Sequence, residues 1–438
     1  MPDTDKAIAS GEGLVRAIGR WSMAALIVNC ILGSGAFGLP SVLARLLGRA
    51  SIAAVVVGAV AVAVIMACFS EVASRFDATG GPYLYTKAAF GRFMGIQVAW
   101  LMWFVRLTSC AANANLFVTY LGEFWPGATS IRMNLVVLTA LIGFLAAVNF
   151  LGVRAGTQVS NWFAFAKLAS LALVVIVGAS YIVRHGASVS TAMALGEGER
   201  QWAPGIVLII FAYGGFETAL ISAGEAKNPR RDVPFGLFVG LTICALFYGL
   251  IQWVAMNVLP DPGQSQRPLA DVARMVLGGG GAALIAVGAL LSVYGYLSGN
   301  ILATPRLTFA LAEHGDFPSV FGLVHPRFRT PYFSIVIFAL LVWLLARFGS
   351  FAGNATLSAG SRLFYYAVVC ASLPVLRHKN KTRALLHIPG GVALSVLGVM
   401  ICVALVSQIE YRKSFILAGA VAIAFANWLA VRKTTELT

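Results

Sequence analysis

Charged residues are scarce in this sequence. Only 11% of its 438 residues are Asp, Glu, Lys or Arg, whereas 59% are hydrophobic. An ordinary soluble domain carries about 25% charged residues, so this composition excludes a soluble protein of this size. The chain is predicted to be an all-α integral membrane protein, because its apolar residues recur in runs of about 20, the length that crosses a bilayer as a helix.

Cysteine and histidine are few, and their positions exclude several kinds of chemistry. The six cysteines all fall in apolar runs, without metal-ligand or disulfide spacing. The five histidines all fall in loops, which argues against a buried histidine proton relay. No phosphate-binding loop and no serine–histidine arrangement is present either. We therefore expect no enzyme activity, no metal and no cofactor.

Acidic residues are also outnumbered, which gives a formal net charge of +15. This excess does not predict nucleic-acid binding, because Lys and Arg accumulate in cytoplasmic loops and meet anionic lipid headgroups. If the N-terminus lies inside, the cytoplasmic loops hold about twice as many Lys and Arg residues as the outer loops, although Arg45 and Arg49 oppose the trend. We predict a multi-pass protein of the inner (plasma) membrane with both termini in the cytoplasm.

About twelve spans are predicted, in a single transmembrane domain covering 1–438. No soluble domain fits between them, since even the longest connections, near 184–202 and 259–280, are short. The predicted spans are 21–45, 51–70, 93–121, 133–150, 158–183, 203–223, 235–258, 281–311, 331–348, 356–376, 386–408 and 413–431.

Two of these spans are interrupted by glycine, the first at Ile31–Pro40 and the sixth at Phe211–Glu217. Glycine weakens a helix, and non-helical backbone at membrane depth is tolerated only where it lines a cavity or is buried in protein. Close helix packing through small residues is the alternative explanation for one such run. A matched pair, five spans apart, favours a transporter built from inverted repeats.

Three segments carry a resemblance to the amino acid–polyamine–organocation (APC) superfamily. Gly33–Phe37 resembles its G-S-G-x-F motif, Phe211–Glu217 with Glu225–Pro234 resembles its sixth helix and the E-x-K-N-P-x-R-x-x-P loop, and Thr304–Pro318 resembles the end of its eighth helix. The resemblance implies a LeuT-like fold with a 5+5 inverted repeat and discontinuous helices 1 and 6. The first repeat is then 21–183, the second is 203–376, and 386–431 forms two additional helices.

The two breaks suggest how an α-amino acid is bound. A half-helix N-terminus offers free N–H groups to a carboxylate, and a half-helix C-terminus offers free carbonyls to an ammonium. We assign the carboxylate to Ser34, Gly35 and Ala36. The ammonium and the adjoining lining are assigned to Ile31, Leu32, Phe211, Ala212, Tyr213 and Gly214.

Lys167, in the middle of the fifth span, is the most informative single charge. A lysine there is costly unless it is paired or faces a polar cavity. In proton-coupled members of the superfamily, a lysine at this place looks like a substitute for a bound sodium ion, leaning on first-helix carbonyls. The alternative is a permanently charged structural lysine.

Several further side chains have roles that remain open. Glu217 could relay protons, hold a gate or cap the restarted helix, and Phe211 is either a gating aromatic or a core residue. Gly214 could leave room for a substrate side chain. Arg106 and Arg362 could each pair with a carboxylate, line a water-filled vestibule or snorkel towards an interface, and they would favour an acidic substrate if both faced the site. A structural role is the preferred interpretation for both, because neighbours such as Tyr365 and Tyr366 suggest packing. Helical spacing does not decide which member of the pairs Asn113/Asn115 and Tyr294/Tyr296 faces inwards.

The sequence thus predicts a secondary active transporter of amino acids, with proton-coupled, sodium-independent uptake by alternating access. An exchanger is the main alternative, and a transporter-derived membrane sensor is a further one. The expected partners are an amino acid, protons, membrane lipids and, as an option, a non-covalent small membrane subunit. A mostly apolar cavity would favour neutral substrates, whereas a cationic amino acid paired with Glu217 is the second choice.

Overall fold

The computed structural model describes six segments of the chain. Within them, side chains are described except at 157–162, 229–230 and 432–435. The described segments are 18–76, 80–152, 157–186, 199–220, 225–379 and 386–435. The end of the predicted sixth span at 221–223 lies outside the described residues. So do five of the basic residues counted for the predicted cytoplasmic side, Lys6, Arg16, Arg154, Lys381 and Arg383.

The described chain is helical throughout, apart from turns and one isolated backbone bridge between Ile18 and Ala226. Its helices, in chain order, are α1 (Arg20–Ile31), α2 (Ser34–Leu47), α3 (Ser51–Ala73), α4 (Gly81–Phe90), α5 (Arg92–Leu121), α6 (Ile131–Phe150), α7 (Thr157–His185), α8 (Trp202–Tyr213), α9 (Phe216–Ala219), α10 (Pro229–Val258), α11 (Pro268–Glu313), α12 (Tyr332–Phe348), α13 (Phe351–Lys379), α14 (Gly391–Val406) and α15 (Tyr411–Thr435).

The membrane character of the chain is evident from these helices. Among the described residues, nine helical stretches are long and apolar enough to cross a bilayer, and three shorter apolar helices accompany them. The multi-pass prediction is confirmed at this level, whereas the exact count of twelve spans stays a prediction. The broken helices explain part of the difference between nine long stretches and about twelve predicted spans, because α1 and α2 are each too short to span the bilayer alone.

Contacts between helix ends define two faces of the bundle. On the first, which we call the terminal face, Ile18 N–H donates to Glu225 O and Lys379 Nζ donates to Ala89 O. On the opposite or distal face, Gln201 N–H donates to Leu46 O and Asn115 Nδ2 donates to Ala346 O. These contacts tie together helices that are far apart in sequence, at both ends of the bundle.

The core of the bundle holds the interrupted helices. α1 packs against α10, α2 against α8, and α13 against α5 and α14. The apolar side chains of α1, such as Met23 and Ile27, are fully buried in these contacts. Burial of these half-helices within the protein satisfies the condition that lets irregular backbone lie at membrane depth.

Two helical stretches are not among the predicted elements, namely α4 and the first part of α11. α4 follows a left-handed Gly80 and carries Pro82 in its first turn, a favourable helix start. The connection expected at 259–280 is also partly wrong, because α11 already begins at Pro268. Its first part ends at a kink at Gly278, where φ is +74°, and glycine adopts such a backbone conformation without strain.

A buried carboxylate holds the terminal face together beside α4. Asp316 is 1% exposed, and its carboxylate accepts hydrogen bonds from Tyr83 and from Arg92 Nε at 2.7 Å, with Lys87 Nζ at 3.2 Å. Its backbone carbonyl accepts a further hydrogen bond from Asn427 of α15. Burial alone would raise the pKa of Asp316, but the hydrogen bonds from Tyr83 and Arg92 and the charge of Lys87 outweigh it, so the pKa lies below its usual value.

Asp316→Asn is expected to lower the unfolding free energy by about 1–3 kcal/mol, because hydrogen bonds to a charged group are lost. A carboxyl whose folded-state pKa is depressed stabilises the protein above its unfolded pKa, about 3.9, and this contribution disappears as pH falls through the folded value. The difference in Tm between wild type and variant in detergent should therefore be large at pH 7 and shrink below pH 4. Asp261→Asn, at an exposed carboxylate, is the matched control. Equal Tm values for wild type and Asp316→Asn at pH 7 would contradict this account.

Candidate functional site

The two interrupted helices meet each other in the centre of the bundle. The first break lies at Leu32 and Gly33, and the second at Gly214 and Gly215. Gly215 has φ +116°, and a Cβ there would collide with the carbonyl oxygen of Cys30. Glycine is required at this position both by the backbone conformation and by the approach of α1.

Tyr248, on α10, joins the two breaks through their carbonyl groups. Its hydroxyl lies 3.0 Å from Ile31 O and 2.9 Å from Ala212 O. Its ring packs edge-on against Tyr213, with 5.3 Å between the centroids. One buried side chain thereby lies between carbonyls at the C-terminal ends of α1 and α8, which share its single hydroxyl hydrogen.

A cavity of about 250 Å³ opens at the meeting point. Toward the distal face, Phe211 and Asn113 in its wall are buried, and the Phe211 ring packs against Phe351 at a centroid distance of 6.1 Å. Toward the terminal face, the lining residues Asn29 and Asn300 are half-buried. Exposure thus increases from the breaks toward the terminal face, while aromatic rings cover the distal side.

Lys167 reaches from α7 to the end of α1. Its ammonium donates to Asn29 O at 2.9 Å and to Asn29 Oδ1 at 2.8 Å, and the residue is 8% exposed. Both partners are neutral, so this positive charge is solvated by dipoles rather than matched by a carboxylate. Such an arrangement holds the ammonium by hydrogen bonds alone and links α7 directly to the first break.

Glu217 is buried directly beyond the second break. Its Oε1 accepts from Arg362 Nε at 3.0 Å and from Tyr365 at 2.9 Å, and its Oε2 accepts from Gly215 N–H at 2.8 Å and from Tyr366 at 2.9 Å. The bond to Gly215 is the capping contact proposed from the sequence. The bonds to α13 add a second role, since they fasten the restarted helix to its neighbour.

Arg362 does more than pack beside the tyrosines. It lines the cavity, pairs with Glu217, and its guanidinium carbon lies 5.8 Å from the centroid of the Phe211 ring. This position also corrects the interpretation of Gly214, where a Cβ would lie 2.6 Å from Arg362 Nε. The space beside Gly214 is therefore filled by a guanidinium and is not available to a substrate side chain.

Most of the sequence-predicted site residues come together in this cavity, but two do not. Ala36 lies outside the lining, and its N–H already donates to Gly33 O at 3.1 Å. Tyr213 also lies outside, and its hydroxyl donates to Val55 O on α3. The predicted residues that do line the cavity are Ile31, Leu32, Ser34, Gly35, Lys167, Phe211, Ala212, Gly214 and Glu217.

The structure decides which member of each of the pairs Asn113/Asn115 and Tyr294/Tyr296 faces the cavity. Asn113 and Tyr296 line the cavity. Asn115 instead contacts Ala346 and Asn354 near the distal face, and Tyr294 packs against Phe163 at a centroid distance of 5.7 Å. Arg106 faces the cavity too, so three cationic side chains stand in a wall whose larger part is apolar, as expected.

Sequence reasoning missed Tyr248, Asn29 and Asn300. Asn29 stands four residues before Gly33 in an otherwise apolar run, which is a signal that a search for polar side chains near the break would have found. Tyr248 gives no such signal, because its role depends on how the seventh span packs. Among the described residues, no group of three His, Cys, Asp or Glu side chains has the arrangement of a metal site.

Comparison with known proteins covers nearly the whole chain. The family described as amino acid permease matches residues 18–426. The methylthioribose transporter of Bacillus subtilis (strain 168) is 24% identical, covering 98% of this chain and 94% of that protein. From the same organism, the branched-chain amino acid permease BcaP is 25% identical over 92% of this chain and 90% of its own, and the serine/threonine exchanger SteT is 27% identical over 76% and 78%.

These relatives are transporters and not enzymes by their names, and the family match includes both interrupted helices and the cavity between them. The APC resemblance of the sequence is confirmed by this match. The chain belongs to the amino acid permease family.

Proposed function

We propose that this protein is a secondary active transporter that takes up amino acids with protons, without sodium, by alternating access. The observation that carries the proposal is the meeting of two broken helices at a cavity into which a hydrogen-bonded lysine reaches. The proposed architecture is LeuT-like, with inverted repeats at 21–183 and 203–376 and two additional helices at 386–431. Discontinuous helices that meet at one site are the usual substrate site of such carriers.

The helix ends supply complementary groups for an α-amino acid. The first N–H groups of α2, from Ser34 and Gly35, have no partner within the helix and face the cavity; they bind the carboxylate, aided by the helix dipole. The ammonium binds at the C-terminal ends of α1 and α8, at the carbonyls of Ile31, Leu32 and Ala212. A carbonyl oxygen has two lone pairs, so the Tyr248 hydroxyl leaves room for this contact.

Lys167 is the proposed coupling group. Its ammonium holds Asn29, four residues before the first break. When the lysine gives up its proton, its hydrogen bonds to the two Asn29 oxygens lose the positive charge that strengthens them. The end of α1 is then released from α7, which links the proton to the conformation of the substrate site.

The proposed orientation places the terminal face in the cytoplasm, in line with the bias of basic loops. The cavity, which is more exposed toward that face, is then open to the inside, and Phe211 with Phe351 closes the outer side. Such a state would release substrate and proton into the cell.

Exchange is the second candidate mode. The observation that favours it is the identity of 27% with a protein named as a serine/threonine exchanger. Exchange needs the same substrate site but no proton transfer at Lys167. A non-covalent small membrane subunit is compatible with either mode.

Lys167→Arg separates the two modes most clearly. Arginine keeps the positive charge but does not release its proton in proteins. In liposomes free of sodium, the variant is expected to retain exchange of internal for external amino acid. Its accumulation of amino acid driven by an inward proton gradient is expected to be at least about tenfold lower than that of wild type.

Lys413→Arg, at a lysine outside the cavity that pairs with Glu410, is the matched control and should behave as wild type. Gradient-driven accumulation by Lys167→Arg at the wild-type level would make Lys167 a structural lysine. Uptake by wild type that ignores the gradient and depends on internal amino acid would establish the exchanger.

Tyr248→Phe tests the bridge between the breaks. The substitution keeps the ring but removes the hydroxyl that holds Ile31 O and Ala212 O, so the ammonium site loses its fixed geometry. A lost neutral hydrogen bond of about 0.5–1.5 kcal/mol predicts amino-acid binding weaker by about threefold to tenfold, measured by equilibrium binding to purified protein. Tyr411→Phe, at a tyrosine that is 66% exposed, should leave the Kd unchanged. An unchanged Kd in Tyr248→Phe would remove the bridge from the account.

A further inference from the structure

The cavity contains more positive than negative charge. Among its described lining residues, Lys167, Arg106 and Arg362 are cationic, and Glu217 is the single carboxylate. The surplus is two positive charges in the middle of an apolar bundle. Such charges are costly unless they are paired or face a polar cavity, and a ligand that enters this cavity is able to supply a negative charge.

Glu217 is not available for a positively charged substrate. Its four hydrogen bonds occupy both carboxylate oxygens, and one of them comes from the guanidinium of Arg362. A carboxylate offers about four lone-pair sites, so no acceptor is left for a second ammonium. The pair also neutralises Arg362, which leaves Arg106 and Lys167 as the surplus.

Arg106 is the cation of the cavity that has hydrogen-bond donors left for a ligand. It is half-buried on α5, and its Nη1 donates to the neutral Asn300 Oδ1 at 2.9 Å. Within the described part of the chain it forms no ion pair. A guanidinium has five N–H groups in a planar fork that suits a carboxylate in a bidentate contact.

Arg106 lines the same cavity as the two breaks, and its level along α5 follows from its neighbours. Ser109, one turn along α5, bonds Ser358 at 2.7 Å, and Ser358 accepts from Arg362 Nη1 at 2.8 Å. The backbone of Arg106 is therefore about 4.5 Å nearer the terminal face than Ser109, the level at which the Arg362 guanidinium bonds Ser358, given a rise of about 1.5 Å per residue. The helix ends bind the two charged groups of the amino-acid backbone, and the substrate side chain extends toward this wall.

We propose that the cavity takes an α-amino acid whose side chain ends in a carboxylate, and that Arg106 binds this carboxylate. The inference rests on the proposed function, because it uses the two helix ends for the α-carboxylate and α-ammonium. It replaces the neutral substrate expected from the sequence: the cavity wall holds the charges that a neutral side chain would leave unmatched.

The test is competition for binding to the purified wild-type protein at pH 7, followed by uptake of the preferred amino acid into liposomes. The competitors are the near-isosteric pairs L-aspartate and L-asparagine, and L-glutamate and L-glutamine, together with L-leucine and L-lysine. We expect one of the acidic amino acids to bind about tenfold to a hundredfold more tightly than its amide, the range of a hydrogen bond between charged groups.

Arg106→Gln should abolish this preference while the amide still binds, because glutamine keeps a donor for Asn300 but no charge. Arg106→Lys keeps the charge without the fork and should retain part of the preference. Arg132→Gln removes an exposed arginine and serves as the matched control with wild-type selectivity. The wild-type ranking is informative even if Arg106→Gln fails to fold.

The outcomes distinguish this inference from the function on which it rests. Tighter binding of a neutral or cationic amino acid by the wild type would overturn the anionic substrate and leave amino-acid transport standing. Acidic preference that survives in Arg106→Gln would overturn the role of Arg106. Absence of binding by every amino acid would contradict the proposed function itself.

Discussion

The site depends on one constraint, which is that unwound backbone inside an apolar bundle must find partners for its polar groups. The protein supplies some of them: Tyr248 bonds Ile31 O and Ala212 O, and Glu217 bonds the Gly215 N–H. The free N–H groups at the start of α2 face a cavity instead. We interpret the substrate site as the backbone polar groups of the two breaks that have no protein partner, arranged to bind the carboxylate and ammonium of an amino acid.

Charges around the breaks divide into two kinds. The pair of Glu217 and Arg362 is saturated by Tyr365, Tyr366 and Ser358 and holds α9 against α13. The remaining cations of the cavity bind neutral oxygens, Lys167 on Asn29 and Arg106 on Asn300. In the proposed function the lysine is the group that releases a proton, and in the further inference the arginine is the group that binds an anionic side chain.

The sequence predicts the helices and the breaks well because both depend on local composition. Apolar runs locate most of the long helices to within a few residues, although α11 begins at Pro268 rather than at 281, and the two glycine interruptions stand where the structure breaks them. Polar partners are harder to foresee, since the bonds of Tyr248 and Arg362 cross more than one hundred residues or join separate helices. For the same reason, the sequence left open whether Arg106 and Arg362 face the cavity, whose wall both of them line.

A structure of the protein with its amino acid bound tests the account most directly. The account predicts that the α-carboxylate lies about 3 Å from the N–H groups of Ser34 and Gly35, at ordinary hydrogen-bond distance, with the ammonium at the carbonyl ends of α1 and α8. A substrate bound elsewhere in the bundle, with the N–H groups of Ser34 and Gly35 closed off by protein groups alone, would contradict it.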